Sequence, residues 1–315
     1  GTGVFGSRLA RMLLEDGWDV TVAGRSLDKA RAFAWHYGGT PLQLDRSAPL
    51  TPHLDGHFAF VDAAGPFQDY ASRRLAEETV AAGVHYLDLS DDAEFTAGIS
   101  ALDGSARARG VAVLSGVSSV PALSSAAVTE LSRGMACITG IESAILPGNR
   151  APRGTSVMRS ILGQAGAPLR LWRDGEWTQE TGWGRQEIVE MEPGLSRHSA
   201  LIGAPDLELF PDAFGAATVT FRAGLELGVM QQGLALIAAA RRLGLLREPA
   251  KLTPVLHWIT ERLERFGTDR GGMLVKVAGR DAAGKGMNRQ WALIAETGDG
   301  PFIPAIPAVI LLRKL

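Results

Sequence analysis

One cysteine, Cys137, serves the whole chain. No internal disulfide can form, and a cysteine-built metal centre has no second ligand to draw on. Excess charge is equally absent: 32 Lys and Arg stand against 34 Asp and Glu, a formal net charge of −2. Nucleic acid needs a basic footprint that this balance does not provide. Apolar runs stop short of the ~18–20 uninterrupted residues of a membrane span. Arg241-Arg242 cut the run over residues 234–246, and Pro304 and Pro307 cut the run over residues 301–312. The expectation is a reduced, cytoplasmic protein with no nucleic-acid partner and no membrane span.

Several reactive arrangements are missing as well. His53 and His57 sit four apart, as helical metal ligands would, but Asp55-Gly56 breaks the helix between them and no third ligand is evident, so no metal is expected. Tyr70 is followed four residues on by Arg74, not by the lysine of a short-chain dehydrogenase pair. Neither Gly154-Thr155-Ser156 nor Gly116-Val117-Ser118 has the partners of a nucleophile elbow. The rest is an ordinary globular composition, 46% hydrophobic and 21% charged. At 315 residues the chain is long enough for two cores.

The richest local signal comes first. Gly1, Thr2, Gly3, Val4, Phe5 and Gly6 spell G-x-G-x-x-G, in which the first glycine makes a tight turn, the second admits a pyrophosphate and the third lets a helix pack closely. Alone this is weak. Behind it, however, helix and strand signals alternate. An apolar stripe on Leu9, Met12 and Leu13 ends at Gly17, strand 18–22 follows, and Ser26 caps a helix through Tyr37. Strands are expected at 41–45, 57–64, 85–90 and 111–115, with helices at 70–82, 99–109 and 121–132. This is the rhythm of β-α-β units building a doubly wound parallel sheet of Rossmann type. A further strand of about ten mostly apolar residues is expected upstream of Gly1, as the centre of that sheet.

Cofactor choice falls at the end of the second strand position. An acid about 20 residues past the glycines takes a free ribose 2′-hydroxyl, yet no acid occurs from Val20 to Leu27. Arg25 and Ser26 stand there instead. A guanidinium and a hydroxyl suit a 2′-phosphate, so NADP is favoured over NAD.

Five segments taken together resemble the saccharopine dehydrogenase family. They are Gly1 to Ala10, Ala23-Gly24-Arg25-Ser26, Ala63-Ala64-Gly65-Pro66-Phe67, His85-Tyr86-Leu87-Asp88-Leu89-Ser90 and Gly116-Val117-Ser118-Ser119-Val120-Pro121. The resemblance implies an NAD(P)-binding Rossmann domain, a second α/β domain with a mixed sheet, and oxidoreductase activity. It also implies that Ala64, Gly65 and Pro66 line the cofactor, that Asp45 lies near the adenine, and that Ser90-Asp91 and Ser118-Ser119 approach the nicotinamide. Later segments, Gly182-Trp183-Gly184, Asp269-Arg270-Gly271-Gly272 and Gly300-Pro301-Phe302-Ile303-Pro304, resemble bacterial members of the broad family. The expected division is residues 1–133 for the cofactor, 134–300 for substrate and dimerisation, and a helix at 301–315 returning to the first domain.

The second half offers strands at 141–146 and 217–222, a helix from Thr155 or Ser156 through Leu162, and a helix at 225–246. Hairpins are expected at 169–178, turning on Asp174-Gly175, and at 273–296. A helix is expected to open at Thr253 or Pro254 and run to Arg265. Proton transfer needs a titratable group beyond the carboxyl end of a strand. Tyr86, Asp88, Asp91 and Asp92 qualify, with Asp91 and Tyr86 the leading pair, although Asp91-Asp92 also suits a helix cap. Arg153, Arg185 and Arg270 could hold a substrate carboxylate. The resulting expectation is hydride transfer to or from a small imine, carbonyl or enoyl substrate. The rival is a non-catalytic NADP-binding sensor or assembly subunit.

Overall fold

The computed structural model describes residues 1–152 and 154–315; Arg153 lies outside the described residues. Two compact units divide the chain, Gly1–Ala122 with Pro301–Leu315 and Leu123–Gly300.

The first unit runs α1 (Val4–Glu15), β1 (Thr21–Gly24), α2 (Leu27–Tyr37), β2 (Thr40–Gln43), β3 (Ala59–Asp62), α3 (Arg74–Ala81), β4 (His85–Asp88), α4 (Ala93–Ala97), α5 (Asp103–Arg109) and β5 (Val113–Leu114). Strands are parallel throughout, β1 with β2 and β3 with β4 and β5. Among the described residues no ladder joins β1 to β3. His57 bridges their starting ends, with Nε2 3.1 Å from Thr21 Oγ1 and Nδ1 3.1 Å from Asp55 O.

Spacing explains α1. Gly6, Leu9, Ala10 and Leu13 form its buried stripe, the 3.6-residue period that brings one face to the sheet. Leu9 and Leu13 join Leu87, Leu89 and Val117 in one apolar cluster. Ala308, Val309 and Leu312, from the helix Ile306–Leu312 near the end of the chain, complete it. Each such leucine or valine contributes about 1.5–3 kcal/mol by leaving water. Expected boundaries shift where side chains are drawn into tertiary bonds. Residues 70–73 stay outside α3, since the Tyr70 hydroxyl reaches Ala64 O and the Arg73 guanidinium reaches Phe95 O (3.0 Å) and Glu94 O (2.6 Å).

The second unit runs α6 (Ser124–Leu131), β6 (Cys137–Leu146), α7 (Thr155–Gln164), β7 (Pro168–Arg173), β8 (Glu176–Thr181), β9 (Gln186–Glu192), β10 (Leu195–Leu201), α8 (Pro205–Phe214), β11 (Val219–Leu225), α9 (Gly228–Arg242), α10 (Thr253–Leu263), β12 (Gly271–Arg280) and β13 (Gly286–Ala295); the terminal helix Ile306–Leu312 is α11. Eight strands form one mixed sheet, ordered β13-β12-β6-β11-β10-β9, with β7 pairing β11 and β8. The Asp174-Gly175 turn of the β7–β8 hairpin has φ of 52° and 82°, both left-handed as a tight two-residue turn requires.

Two sequence expectations change here, and three elements appear for which there was none. The apolar stretch 225–246 is two elements, because Leu225 closes strand β11 and the helix begins only at Gly228. Apolar character alone does not mark where a strand hands over to a helix. Helix α6 starts at Ser124, later than expected, because Val120 is extended (φ −132°, ψ 135°) ahead of Pro121. It packs with the second unit, so the boundary between units falls at Ala122 and not at residue 133. Finally, β9, β10 and α8 had no forecast at all. Charges alternate along β9, whose inward residues are Val189 and Met191 while Ile188 faces solvent.

Candidate functional site

The site is built at the carboxyl ends of the first unit's strands. Helix α1 opens at Gly3, which is extended (φ −74°, ψ 179°) and has no side chain to cap the first turn. Its leading N–H groups therefore have no side-chain acceptor, an arrangement that suits an anion. Shape agrees. A Cβ on Gly6 would fall 2.5 Å from Gly1 O and 3.2 Å from the Ala63 Cβ, whereas a Cβ on Gly3 would meet no protein atom within 4 Å. The third glycine is thus filled by protein and the second faces open space, the division a pyrophosphate-binding turn needs. Thr2, Val4 and Phe5 complete the turn and are partly buried.

Around the rim lies the expected adenosine side. Arg25 follows β1 and is exposed, with its carbonyl accepting from Gln43 Nε2 at 3.2 Å. Ser26 caps α2 by accepting from Lys29 N at 3.3 Å, and its hydroxyl proton remains available to a phosphate oxygen. Asp45 is exposed after β2 and turns on itself, accepting from Ser47 N (2.8 Å) and Ser47 Oγ (2.5 Å). Those bonds hold its carboxyl below the usual range, with the Arg25 charge adding to the effect.

Past β3, Ala64 and Gly65 are exposed and Pro66 is partly buried. What holds them is Asp62, a buried acid that ends an apolar strand. Its Oδ1 accepts from Ala64 N at 3.0 Å, and its Oδ2 accepts from Arg46 Nε (3.0 Å) and Nη2 (2.7 Å). The same guanidinium lies over the Tyr70 ring, 3.0 Å from its centroid.

The loops after β4 and β5 converge on Asp88, which is fully buried. Ser90 N, Gly116 N and Ser115 Oγ each donate to its Oδ1 at 2.9 Å, while Oδ2 is buried without a partner. Burial pushes this carboxyl up to about 6 against the pull of those three donors, and Asp62, its register neighbour on β3, pushes the same way. Ser90 is fully buried; its Oγ accepts from Asp92 N at 3.2 Å. Asp92 then caps α4, accepting from Phe95 N at 2.8 Å. The cap function therefore belongs to Asp92 and leaves Asp91 exposed. Although the residue keeps exposed surface, the protein packed around its carboxyl strips enough solvent to raise it above the usual range, and Asp92 beside it adds to this. Ser118 is buried, and its N–H donates to Gly116 O at 2.7 Å.

Tyr86 is placed differently from Asp91. Its ring has no exposed surface and packs with Leu50, Leu54, Leu75 and Val84, stacked against Phe60. Burial, then the nearby Asp88, hold its hydroxyl well above the usual range. The side chain is part of the core and does not open on the strand ends.

In the second unit the two described candidate arginines, Arg185 and Arg270, are already engaged. Arg185 pairs with Glu187 at 3.2 Å, and Arg270 pairs with Glu192 and lies 3.8 Å from Glu296. Arg222 had no place in the sequence expectations, yet it is only 6% exposed in the middle of β11. Its Nη2 lies 2.7 Å from Glu187, whereas Nε and Nη1 are buried without an acceptor. The available signal was a charge inside an otherwise apolar strand, the same signal that marks Asp62. Among the described residues no three His, Cys, Asp or Glu side chains gather as a metal site, and no helix is long and apolar enough to cross a membrane.

Residues 1–114 match the saccharopine dehydrogenase NADP binding domain family. No curated protein matches the chain. Among solved structures, the chain is similar to the apo form of saccharopine dehydrogenase (L-Glu forming) from Saccharomyces cerevisiae. The TM-score is 0.71 at 14% identity, over 99% of this chain and 89% of that one. More distant similarity extends to a dehydrogenase from Chromobacterium violaceum, with TM-score 0.44, 12% identity, and 100% and 84% coverage. It extends also to a 3-ketoreductase from Actinomadura kijaniata in complex with NADP, with TM-score 0.39, 15% identity, and 99% and 88% coverage. Residues 1–114 are thus similar to the saccharopine dehydrogenase NADP binding domain, and the chain as a whole shares its fold with the yeast structure.

Proposed function

We propose that the protein is an NADP-dependent oxidoreductase that moves a hydride to or from a small imine, carbonyl or enoyl substrate. The observation that carries this reading is the Gly1 to Gly6 turn, with open space at Gly3 and an uncapped first turn of α1. Arg25 and Ser26 receive the 2′-phosphate, which is the reason NADP is preferred to NAD. Asp45 lies toward the adenosine. Ala64, Gly65, Pro66, Ser90 and Ser118 line the other half, since the second mononucleotide unit of such a sheet sits beyond its later strands. The nicotinamide supplies or accepts the hydride when bound.

This chain's own residues supply the proton. Asp91 is the open carboxyl at that end, and its raised affinity for a proton suits it to the task. Tyr86, buried in the core, serves to pack the strand. The second unit is the source of substrate specificity, and Arg222, with two donors lacking acceptors, favours a substrate that carries an anionic group. Homodimerisation through this unit is part of the same reading.

A panel of imine, carbonyl and enoyl compounds offered with NADPH tests the assignment. Oxidation of NADPH by at least one of them, lost in Asp91→Ala with NADPH binding intact, is the expected result. Tight NADPH binding with no oxidation across the panel would favour the sensor or assembly subunit.

A further inference from the structure

The loops that carry Ser90, Asp91 and Ser118 come from different strands and have no ladder of their own beyond Asp88 and Leu114. Something else must fix them relative to each other. One carboxylate oxygen does so. Asp88 Oδ1 takes the N–H of Ser90 from one loop, and the N–H of Gly116 with the hydroxyl of Ser115 from the other, all at 2.9 Å. The backbone adds a second tie, with Val117 N donating to Asp88 O at 2.8 Å. Gly116 fits because its φ is +70° and a Cβ there would fall 2.3 Å from Pro121 Cδ. On the first loop, Ser90 hands the order onward through Asp92 N to the cap of α4, so the exposed Asp91 stands on a segment fixed at both sides.

We propose that Asp88 is a positioning residue for the nicotinamide half of the cofactor site, acting through these two loops and not by contact with cofactor or substrate. The inference rests on the proposed NADP reading. A carboxylate oxygen that accepts three hydrogen bonds holds them more strongly than a neutral acceptor would. Asp88 therefore sets the spacing between the Ser90 and Ser118 loops, while the Gly1 to Gly6 turn and Arg25 take their geometry from α1 and β1. Removing the carboxylate should loosen grip on the nicotinamide end and leave the 2′-phosphate end untouched.

Two probes separate those ends: NADPH, which has both, and adenosine 2′,5′-bisphosphate, which lacks the nicotinamide. Their dissociation constants are measured by titration calorimetry on the full chain, for the unsubstituted protein, Asp88→Asn and Ser115→Ala. In Asp88→Asn the affinity for NADPH is expected to fall about tenfold or more, the scale of losing bonds to a charged acceptor. Affinity for the bisphosphate should stay within about twofold, as for independent sites. Ser115→Ala removes one of the three donors and should show a smaller loss of the same kind; it decides the matter if Asp88→Asn does not fold. Equal losses for both probes, or no loss for either, would overturn the positioning role. Failure of the unsubstituted protein to bind either probe would instead bring down the NADP reading on which this one stands.

Discussion

At the scale of single residues, the acids divide by what surrounds them. Asp45, Asp62 and Asp92 accept hydrogen bonds from nearby donors, whereas Asp88 and Asp206 are buried acids with one oxygen unpaired. Asp206, at the start of α8, is the more extreme. Burial pushes it up to about 7, although the hydroxyl of Ser124, 3.0 Å from Oδ1, draws it back. A carboxyl with a raised folded-state pKa binds its proton more tightly in the folded than in the unfolded chain. Its stabilising effect is therefore full below the ordinary value of 3.8, declines as pH rises toward about 7, and is gone above. Asp206→Asn keeps an acceptor for Ser124 and removes the titration. Denaturant midpoints at pH 5 and pH 8 should show the variant gaining about 1–3 kcal/mol on the parent between the two values. An unchanged pH dependence would show that Asp206 does not ionise there.

Arg46 offers a second test at this scale. It pairs with the buried Asp62 carboxylate through two nitrogens. Arg46→Ala strands that charge in the core, and breaking a buried pair from one side costs about 3–5 kcal/mol. Chemical denaturation measures it, and a loss below about 1 kcal/mol would mean the pair is no better than a surface contact.

At the scale of elements, the sequence was most readable where a local rule acts alone. Ser26 caps α2, the Asp174-Gly175 turn closes its hairpin, and the Leu9 to Leu13 stripe faces the core. Each depends on neighbours a few residues away, so spacing suffices to find it. What escaped depends on distant partners. Nothing local says that Tyr70 and Arg73 spend their side chains on tertiary bonds, that the 225–246 run changes from strand to helix, or that β9 is a strand despite its charges. The candidate site follows the same division. The glycine turn and Arg25 were legible from type and spacing, and so was Asp91 as an open acid beyond β4. The clamp at Asp88, the core position of Tyr86 and the donors of Arg222 depend on the packing of several strands. One prediction belongs here: Gly116→Ala asks a left-handed residue to carry a Cβ against Pro121. It should cost about 2–4 kcal/mol, joining backbone strain to overpacking, and thermal unfolding reads the loss.

At the scale of the whole molecule, the proposed function has the first unit bind NADP through its opening turn and select it through Arg25. Arg25 is exposed, and in the proposed function its guanidinium pairs with the 2′-phosphate that NADP carries and NAD lacks. Arg25→Ala should therefore weaken NADPH about 10- to 100-fold and leave NADH within about twofold, the range of one charge-assisted hydrogen-bonded pair. The most direct measurement is the pair of dissociation constants of NADPH and NADH for the unsubstituted protein, by titration calorimetry in one buffer. NADPH is expected to bind at least about tenfold more tightly. Equal constants would contradict the role given to Arg25, and no binding of either would contradict the site itself.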